Sequence, residues 1–225
     1  MSGRHGGLFI TFEGTEGSGK TTQMRLLVAR LRTAGYLVTE NQEPGATAIG
    51  KEIRRILLDP AHSEMAPVTE LLLMFASRTQ AAAEMIVPAL GRGEIVVSDR
   101  FTDSTLAYQG EARGLGFDTV LQAHRLALDS LLPDLTICVD LDIPTGLARA
   151  NHRNQENGTA KSEARIDRQA LDFHLRVGQG YRKIAAAEPE RFRLVNGAGD
   201  PAEISERVWQ EVCPVLNRYT VRQLP

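Results

Sequence analysis

The sequence predicts an α/β fold: a doubly wound, parallel five-stranded sheet with helices on both faces. Short apolar runs alternate with helical patterns along the 225 residues, and a glycine-rich loop joins the first run to the first helix. The runs are apolar at nearly every position instead of every second one, which is typical of parallel strands covered on both sides. The composition, 42% hydrophobic and 24% charged, is that of an ordinary soluble protein.

Five strands and five or more helices are expected along the chain, because helical spacing of apolar residues alternates with short apolar runs. The expected strands are residues 8–12, 36–39, 94–98, 135–141 and 191–195. The expected helices are residues 21–33, 49–58, 67–90, 119–132 and 202–216. No linker divides the sequence, so residues 1–225 are expected to form a single domain.

Charge and cysteine content exclude some classes of partner. The net charge of −2 gives no broad attraction to nucleic acid or to an anionic membrane, so neither is an expected partner. Cys138 and Cys213 lie in apolar stretches and are expected to be reduced thiols. The apolar run near the N-terminus is too short for a signal peptide, and no stretch has the ~18 apolar residues of a membrane span. These features predict a cytoplasmic protein.

The loop after the first strand carries the most specific motif. Gly14, Gly19, Lys20 and Thr21 fill every fixed position of the phosphate-binding pattern Gly-x-x-x-x-Gly-Lys-[Ser/Thr]. Backbone N–H groups and the helix N-terminus of such a loop bind a polyphosphate. Lys20 is expected to reach the β- and γ-phosphates and Thr21 to ligate Mg²⁺. The expected ATP-binding loop is Gly14, Thr15, Glu16, Gly17, Ser18, Gly19, Lys20, Thr21 and Thr22.

Two further motifs follow strands, where ligands bind in open parallel sheets. Glu43-Pro44-Gly45 follows the second strand, and Asp99-Arg100 follows the third. Asp99 is a candidate Mg²⁺ ligand, and Arg100 is a candidate for a bidentate phosphate contact. The alternative is that Asp99 and Arg100 form only a surface ion pair. A binding site is favoured because both residues and the glycine loop follow strands that end at the same edge of the sheet.

The expected helix at residues 67–90 offers a candidate binding face for a base. Phe75 and Arg78 are three residues apart and share a side, where they could stack a base and contact its edge. A core Phe and a solvated Arg are the alternative. Ser104 to Gly110 follows Asp99-Arg100 closely enough to reach the same crevice.

Residues 151–164 are polar and lack apolar periodicity. We interpret them as a mobile lid at about residues 151–165, with a disordered loop as the alternative. An arginine supplied in cis commonly stabilises the transferring phosphoryl group, and a closed lid excludes water. The candidates around the segment are Arg149, Arg153, Arg165 and Arg168, for which a solvated basic face is the alternative.

Taken together, the motifs resemble the bacterial thymidylate kinase family in order and spacing over about residues 8–215. The phosphate loop alone suits many functions, whereas its combination with the later motifs is narrow. The matching stretches are residues 12–22, Glu43-Pro44-Gly45, residues 71–80, Asp99-Arg100-Phe101, residues 104–110, Leu171-Asp172-Phe173-His174 and Gly180-Tyr181.

The resemblance implies a P-loop nucleoside monophosphate kinase architecture and transfer of the ATP γ-phosphoryl group to dTMP, giving dTDP and ADP. It also implies Mg²⁺ as cofactor, ATP and dTMP as partners, and a cytoplasmic homodimer. Lys20, Asp99 and Arg100 would act at the phosphates and the metal. Glu16 would lie near the sugar 3′-hydroxyl and the metal.

Further roles implied by the resemblance concern the acceptor nucleoside and the lid. Phe75 would stack on thymine, with Met74 as the other candidate, and Arg78 would contact the base edge. Ser104, Thr105 and Gln109 lie in the nucleoside-binding segment, Tyr108 would crowd the sugar 2′ position, and Arg149 would contact the nucleotide ring. Gly17 occupies the position where one branch of the family has a catalytic arginine, so this chain resembles the branch with that arginine in the lid. Arg165 matches the lid position best and Arg153 second.

The sequence departs from the family pattern in three places, the main one being Gln42 in place of the arginine that commonly precedes Glu-Pro-Gly. The other two are Ala46 in place of a glycine, and a long lid with Ala164 and Asp167 at the positions where Asp and Glu are common. A kinase for another pyrimidine monophosphate, such as dUMP, is the alternative function. A GTP switch is disfavoured because the sequence has no Asn-Lys-x-Asp motif.

Overall fold

The computed structural model describes residues 6–156 and 165–223. Its sheet has five parallel strands in the order β2-β3-β1-β4-β5, which confirms the predicted fold class. The strands are β1 Leu8–Glu13, β2 Val38–Gln42, β3 Ile95–Asp99, β4 Leu135–Asp140 and β5 Phe192–Asn196. Because β2 and β3 lie on one side of β1 and β4 and β5 lie on the other, a crevice opens at the carboxyl end of β1.

The helices cover both faces of this sheet. They are α1 Lys20–Thr33, α2 Ala48–Leu58, α3 Pro67–Ala81, α4 Val87–Gly91, α5 Thr102–Thr105, α6 Phe117–Leu128, α7 Ile143–Glu156, α8 Leu171–Ala187 and α9 Pro201–Gln223. A short 3₁₀ turn spans Pro60–His62, and π-helical segments span Ala82–Ile86 and Leu106–Ala112.

The core lies on both sides of the sheet because successive strand residues point to opposite faces. Ile10 and Phe12 of β1 face a buried cluster that includes side chains of α1 and α9. Phe9, the residue before Ile10, points to the opposite face and packs in a second cluster with Leu90 and Phe101. A third cluster joins α8 to the π-helical segment Leu106–Ala112. Burial on both faces explains why the central strands are apolar throughout.

The structure differs from the sequence-based expectation in four helical regions. The expected helix at residues 67–90 is interrupted by the π-helical turn Ala82–Ile86, and residues 102–112, α7 and α8 are helices that the sequence pattern does not predict. α7 also contains the first six residues of the expected lid, so residues 151–156 are helical. Their side chains are polar all round, which removes the periodicity from which a helix is predicted. Residues 157–164 lie outside the described residues.

In the described ranges, no helix has both the length and the apolar character needed to cross a membrane. Both cysteines are free thiols, as predicted; Cys138 is buried and Cys213 is half-buried.

Candidate active site

A cavity of about 770 Å³ opens at the carboxyl ends of β1, β2 and β3. Residues 16–22 of the glycine-rich loop line one part of it, and Asp99 and Arg100 line its floor. Gln42, Glu43 and Pro44 lie at the end of β2, and the nucleoside-segment residues Ser104, Thr105, Tyr108 and Gln109 border the same space. The structure therefore brings three predicted strand-end motifs together around a single cavity.

The glycine-rich loop leads from β1 into α1. Lys20 begins α1, and its Nζ lies 3.4 Å from the carbonyl oxygen of Thr15. The residues from Glu16 to Thr22 all border the cavity, whereas Gly14 and Thr15 do not. Burial, together with the charge of Arg100, lowers the pKa of Lys20 to about 8 in spite of the nearby carboxylates. A bound polyphosphate would place negative charge beside the Lys20 ammonium group and so favour its protonated form.

Gly17 is held against helix α7 by backbone contact. Its φ of 68° is left-handed, and a Cβ added there would lie 1.9 Å from the carbonyl oxygen of Gly146. In return, a Cβ on Gly146 would lie 2.4 Å from the carbonyl oxygen of Glu16. No side chain fits at position 17 unless α7 moves, so the loop has no room for an arginine at this position.

Thr21 and Asp99 form an oxygen pair at the floor of the cavity. The Thr21 hydroxyl donates to Oδ2 of Asp99 at 2.5 Å, because β1 and β3 are in register with Phe12 opposite Asp99. Hydroxyl and carboxylate oxygens are the hard donors that Mg²⁺ prefers, usually with phosphate oxygens and waters completing the shell. Among the described residues, no group of three or more His, Cys, Asp or Glu side chains is placed to hold a metal ion.

Arg100 is fixed in the cavity by both its backbone and its side chain. Its φ is 71°, an uncommon value for a non-glycine residue. The guanidinium donates to the Ser104 hydroxyl at 2.9 Å, to the Tyr108 hydroxyl at 3.1 Å and to the Tyr181 hydroxyl at 3.2 Å. These contacts orient a positive charge toward the cavity before any ligand binds.

Glu13, at the end of β1, supports the Arg100 segment from below. It accepts hydrogen bonds from the Phe101 backbone N–H at 2.8 Å, from the Ser104 hydroxyl, and from the Tyr181 hydroxyl at 3.2 Å. Burial, aided by the neighbouring Asp103 charge, raises the pKa of Glu13 to about 7. A carboxyl group that is about half protonated at pH 7 therefore links β1 to the loop that carries Arg100.

The Glu16 carboxylate has more protein hydrogen-bond partners than is expected of a metal ligand. Tyr108 donates its hydroxyl to Oε1 of Glu16 at 2.6 Å, and Nδ1 of His174 lies 3.1 Å from Oε2. Burial acts to raise the pKa of Glu16, but the His174 contact, the charges of Arg100 and Lys20, and the Tyr108 hydrogen bond lower it to about 2. Both carboxylate oxygens already have protein partners, so the geometry does not favour direct metal ligation by Glu16.

Arg78 of α3 is almost fully buried beside the cavity. It forms an ion pair with Glu43 at 2.5 Å and donates to the Thr105 hydroxyl at 2.9 Å and to the Phe101 carbonyl oxygen at 3.1 Å. These contacts use three of its five N–H groups, and the side chain still borders the cavity. Glu43 of the Glu-Pro-Gly motif thus positions the guanidinium expected to read a base edge.

The structure favours Met74 over Phe75 as the residue that lies beside the base. Phe75 is 4% exposed and packs in the core cluster on α8 and the π-helical segment, 6.4 Å from the His124 ring. Met74, one residue earlier, borders the cavity. Adjacent helical residues point about 100° apart, so the two cannot share the role.

The prediction that Arg165 faces the transferring phosphoryl group is also not supported. Arg165 is 3% exposed; it donates to the Leu57 carbonyl oxygen and forms a 2.6 Å ion pair with Glu70. Arg149 of α7 borders the cavity, as expected of a nucleotide contact. Arg153 lies one turn further along α7; its side chain is outside the described part of the structure. The geometry favours α7, and not the segment after the lid, as the source of an arginine.

Sequence reasoning missed several residues of this site. Arg54 borders the cavity and donates to the Pro44 carbonyl oxygen at 3.0 Å. Its place in the helix that follows Glu43-Pro44-Gly45 was a usable signal, because that helix starts at the same sheet edge. His174 lies in the matching stretch Leu171-Asp172-Phe173-His174, but the sequence predicts no role for it. Glu70 gave no signal, because its buried contacts come from elements distant in sequence.

Comparison with known proteins places these features in a family. The family model described as thymidylate kinase matches residues 12–208. Curated thymidylate kinases of Pelobacter propionicus and Solidesulfovibrio magneticus are 49% and 46% identical, covering 92% and 93% of this chain and 94% and 100% of those proteins. The crystal structure of a thymidylate kinase from Ehrlichia chaffeensis superposes with a TM-score of 0.73 at 30% identity, covering 92% of this chain and 98% of that one. The chain belongs to the thymidylate kinase family.

Proposed function

We propose that this protein transfers the γ-phosphoryl group of ATP to dTMP, giving dTDP and ADP. One observation carries the proposal: the phosphate-binding loop and Asp99-Arg100 open into the same cavity as Arg78 and Tyr108. A donor triphosphate and an acceptor nucleotide can therefore meet in one enclosed space. Positioning of this kind supplies much of the catalysis in phosphoryl transfer.

The donor half is formed by the glycine-rich loop with Lys20 and Thr21. Its backbone N–H groups and Lys20 would hold the β- and γ-phosphates, while Thr21 and Asp99 would hold Mg²⁺. The metal supplies neutralisation of the charge on the phosphate oxygens. Arg149 borders the same space and would contact the nucleotide from α7.

The acceptor half is formed by Arg100, Arg54, Met74, Arg78 and Tyr108. Arg100 and Arg54 would hold the acceptor phosphate. Arg54 would supply the positive charge that the uncharged Gln42 side chain, at the end of β2, does not provide. Met74 would lie against the base, and Arg78 would donate to its edge. Tyr108, held by Glu16 and Arg100, would crowd the 2′ position and favour deoxyribose.

We assign the catalytic arginine to α7. Arg149 and Arg153 are four residues apart and share one helix face, and the backbone contact between Gly17 and Gly146 presses this helix onto the loop. Residues 151–165 remain the proposed lid of a single domain. Arg165 would anchor the end of this lid instead of acting on the phosphoryl group.

Among pyrimidine monophosphates, dTMP is favoured over the alternative acceptor dUMP. The curated relatives cited above carry the name thymidylate kinase at nearly half identity over most of the chain. One methyl group is worth only about 1–3 kcal/mol in a hydrophobic pocket, so weak activity on dUMP is still expected.

A cytoplasmic homodimer is the proposed physical form. Helices α3 and α6 pack together and expose apolar side chains, namely Val68 at 51%, Leu72 at 58% and Leu126 at 91%. Exposed apolar groups on adjoining helices favour an interface between two copies. The free thiols suit a reducing compartment.

A coupled assay with Mg-ATP and each of dTMP, dUMP, dCMP and dAMP tests the function. We expect the highest kcat/KM for dTMP and loss of activity in Lys20→Ala. Lys51→Ala, which changes an exposed lysine of α2, serves as the matched control and should keep full activity. Full activity in Lys20→Ala, or equal turnover of dAMP and dTMP, would contradict the proposal.

A further inference from the structure

A buried carboxylate outside the residues assigned so far connects three parts of the acceptor side. Glu70 of α3 is fully buried. It accepts from Gln109 Nε2 at 2.7 Å, from Arg113 Nη2 at 3.1 Å and Nε at 3.2 Å, and from Arg165 Nη2 at 2.6 Å. Gln109 and Arg113 belong to or adjoin the π-helical segment, and Arg165 follows the lid.

The two arginines keep Glu70 ionised. Burial acts to raise its pKa, but hydrogen bonds from Arg113 and Gln109 and the charges of Arg113 and Arg165 lower the pKa below its usual value. An ionised carboxylate only accepts hydrogen bonds. The Gln109 amide must therefore turn its NH₂ group, and not its oxygen, toward Glu70.

This orientation has a consequence for the ligand. Gln109 lines the same cavity as Arg78 and Thr105, and Thr105 accepts a hydrogen bond from Arg78. Because Oε1 and Nε2 diverge from the same carbon, fixing Nε2 on Glu70 directs Oε1 away from it. A base that meets this oxygen needs an N–H donor at that position. Thymine and uracil have a donor at N3, whereas cytosine has an acceptor there.

We propose that Glu70 is a positioning residue for base specificity, which orients the Gln109 amide so that the acceptor site takes an imide N–H and rejects cytosine. The inference rests on the proposed acceptor site. Arg113 and Arg165 serve it by holding the carboxylate charged and in place. The Arg78 guanidinium can only donate hydrogen bonds, so it adds discrimination at a neighbouring position on the edge of the base. Arg78 is unchanged in every variant below.

The test is the ratio of kcat/KM for dTMP to kcat/KM for dCMP in Glu70→Gln. An amide at position 70 can donate to Oε1 of Gln109, which allows the Gln109 NH₂ to face the base. We expect the ratio to fall at least tenfold, as leaving a buried partner unmatched costs about 1–3 kcal/mol. Loss of folding support alone would lower both activities and leave their ratio unchanged.

Two control variants separate specificity from packing. Arg113→Met removes one partner of Glu70 but leaves the Arg165 ion pair, which keeps the carboxylate charged, and the contact with Gln109, so it should keep the wild-type ratio. Glu84→Gln alters an exposed carboxylate that also accepts from a glutamine, Gln80, and should change nothing.

If Glu70→Gln does not fold, Gln109→Met provides the same test while Glu70 and both arginines stay. This variant should lose most of the preference for dTMP over dCMP. A wild-type ratio in Glu70→Gln or in Gln109→Met would overturn the inference. A wild-type enzyme without preference for dTMP over dCMP would instead overturn the proposed function.

Discussion

The contact between the glycine-rich loop and α7 predicts that Gly17→Ala is costly. A Cβ at position 17 would lie 1.9 Å from the Gly146 carbonyl oxygen, where ordinary contact starts at 3.4 Å. Backbone on both sides must therefore separate by about 1.5 Å, and such overpacking costs roughly 1–3 kcal/mol. The left-handed φ of 68° adds roughly 1–2 kcal/mol for a residue with a Cβ.

Gly35→Ala is the matched control for this prediction. Gly35 has a φ of 89°, and a Cβ there would meet nothing within 4 Å. It carries the backbone strain without the clash, so the difference between the two variants isolates the clash. For a domain of this size, 1 kcal/mol corresponds to about 2–4 °C in Tm. Gly17→Ala should therefore melt roughly 2–12 °C below Gly35→Ala.

Thermal unfolding and ATP titration of the two variants provide the measurements. Displacement of α7 also moves Arg149, so Gly17→Ala should bind ATP more weakly than Gly35→Ala, which lies outside the site. Equal melting temperatures with equal ATP affinity would refute the reasoning, because they would mean that α7 does not pack on the loop.

Three further predictions follow from the site. Met74→Ala should raise the KM for dTMP with little change in Tm, whereas Phe75→Ala should cost about 3–5 kcal/mol of stability; the reverse pattern would restore Phe75 to the base site. Arg149→Ala should lower activity without changing the fold. Arg165→Ala should lower Tm, because it removes one of the two arginines paired with the buried Glu70 carboxylate. A large kcat loss in Arg165→Ala at unchanged Tm would contradict this prediction. The raised pKa of Glu13, about 7 against 4.5, favours its protonated form in the folded state. Stability from this group is present below pH 4.5 and lost as the pH rises through 7, amounting to at most about 3 kcal/mol. Urea unfolding from pH 4.5 to 8 should show that loss for the wild type relative to Glu13→Gln, and parallel curves would exclude it.

The fold and the donor half of the site could be predicted because their signals are local. A strand that is apolar on both faces can be recognised from its own few residues. Likewise, the phosphate-binding pattern of Gly14, Gly19, Lys20 and Thr21 has fixed spacing within one loop. The difference between Met74 and Phe75 is a rotation of about 100° on one helix, and an aromatic residue is the stronger candidate until burial is known. Sequence distance hides the Glu70 contacts, because its partners lie 39 to 95 residues away.

The proposed position of the catalytic arginine, on α7, follows from packing. A side chain at position 17 would overlap the Gly146 backbone, so a loop arginine is excluded as long as α7 lies on the loop. The same contact brings α7, with Arg149, to the edge of the cavity. Arg165 cannot substitute in this arrangement, because moving it to the phosphates would leave Glu70 buried with one cation fewer, a change that costs several kcal/mol. The glycine at position 17 and the arginines of α7 are therefore two parts of one proposed arrangement, in which the absence of a side chain in the loop lets the helix supply the charge.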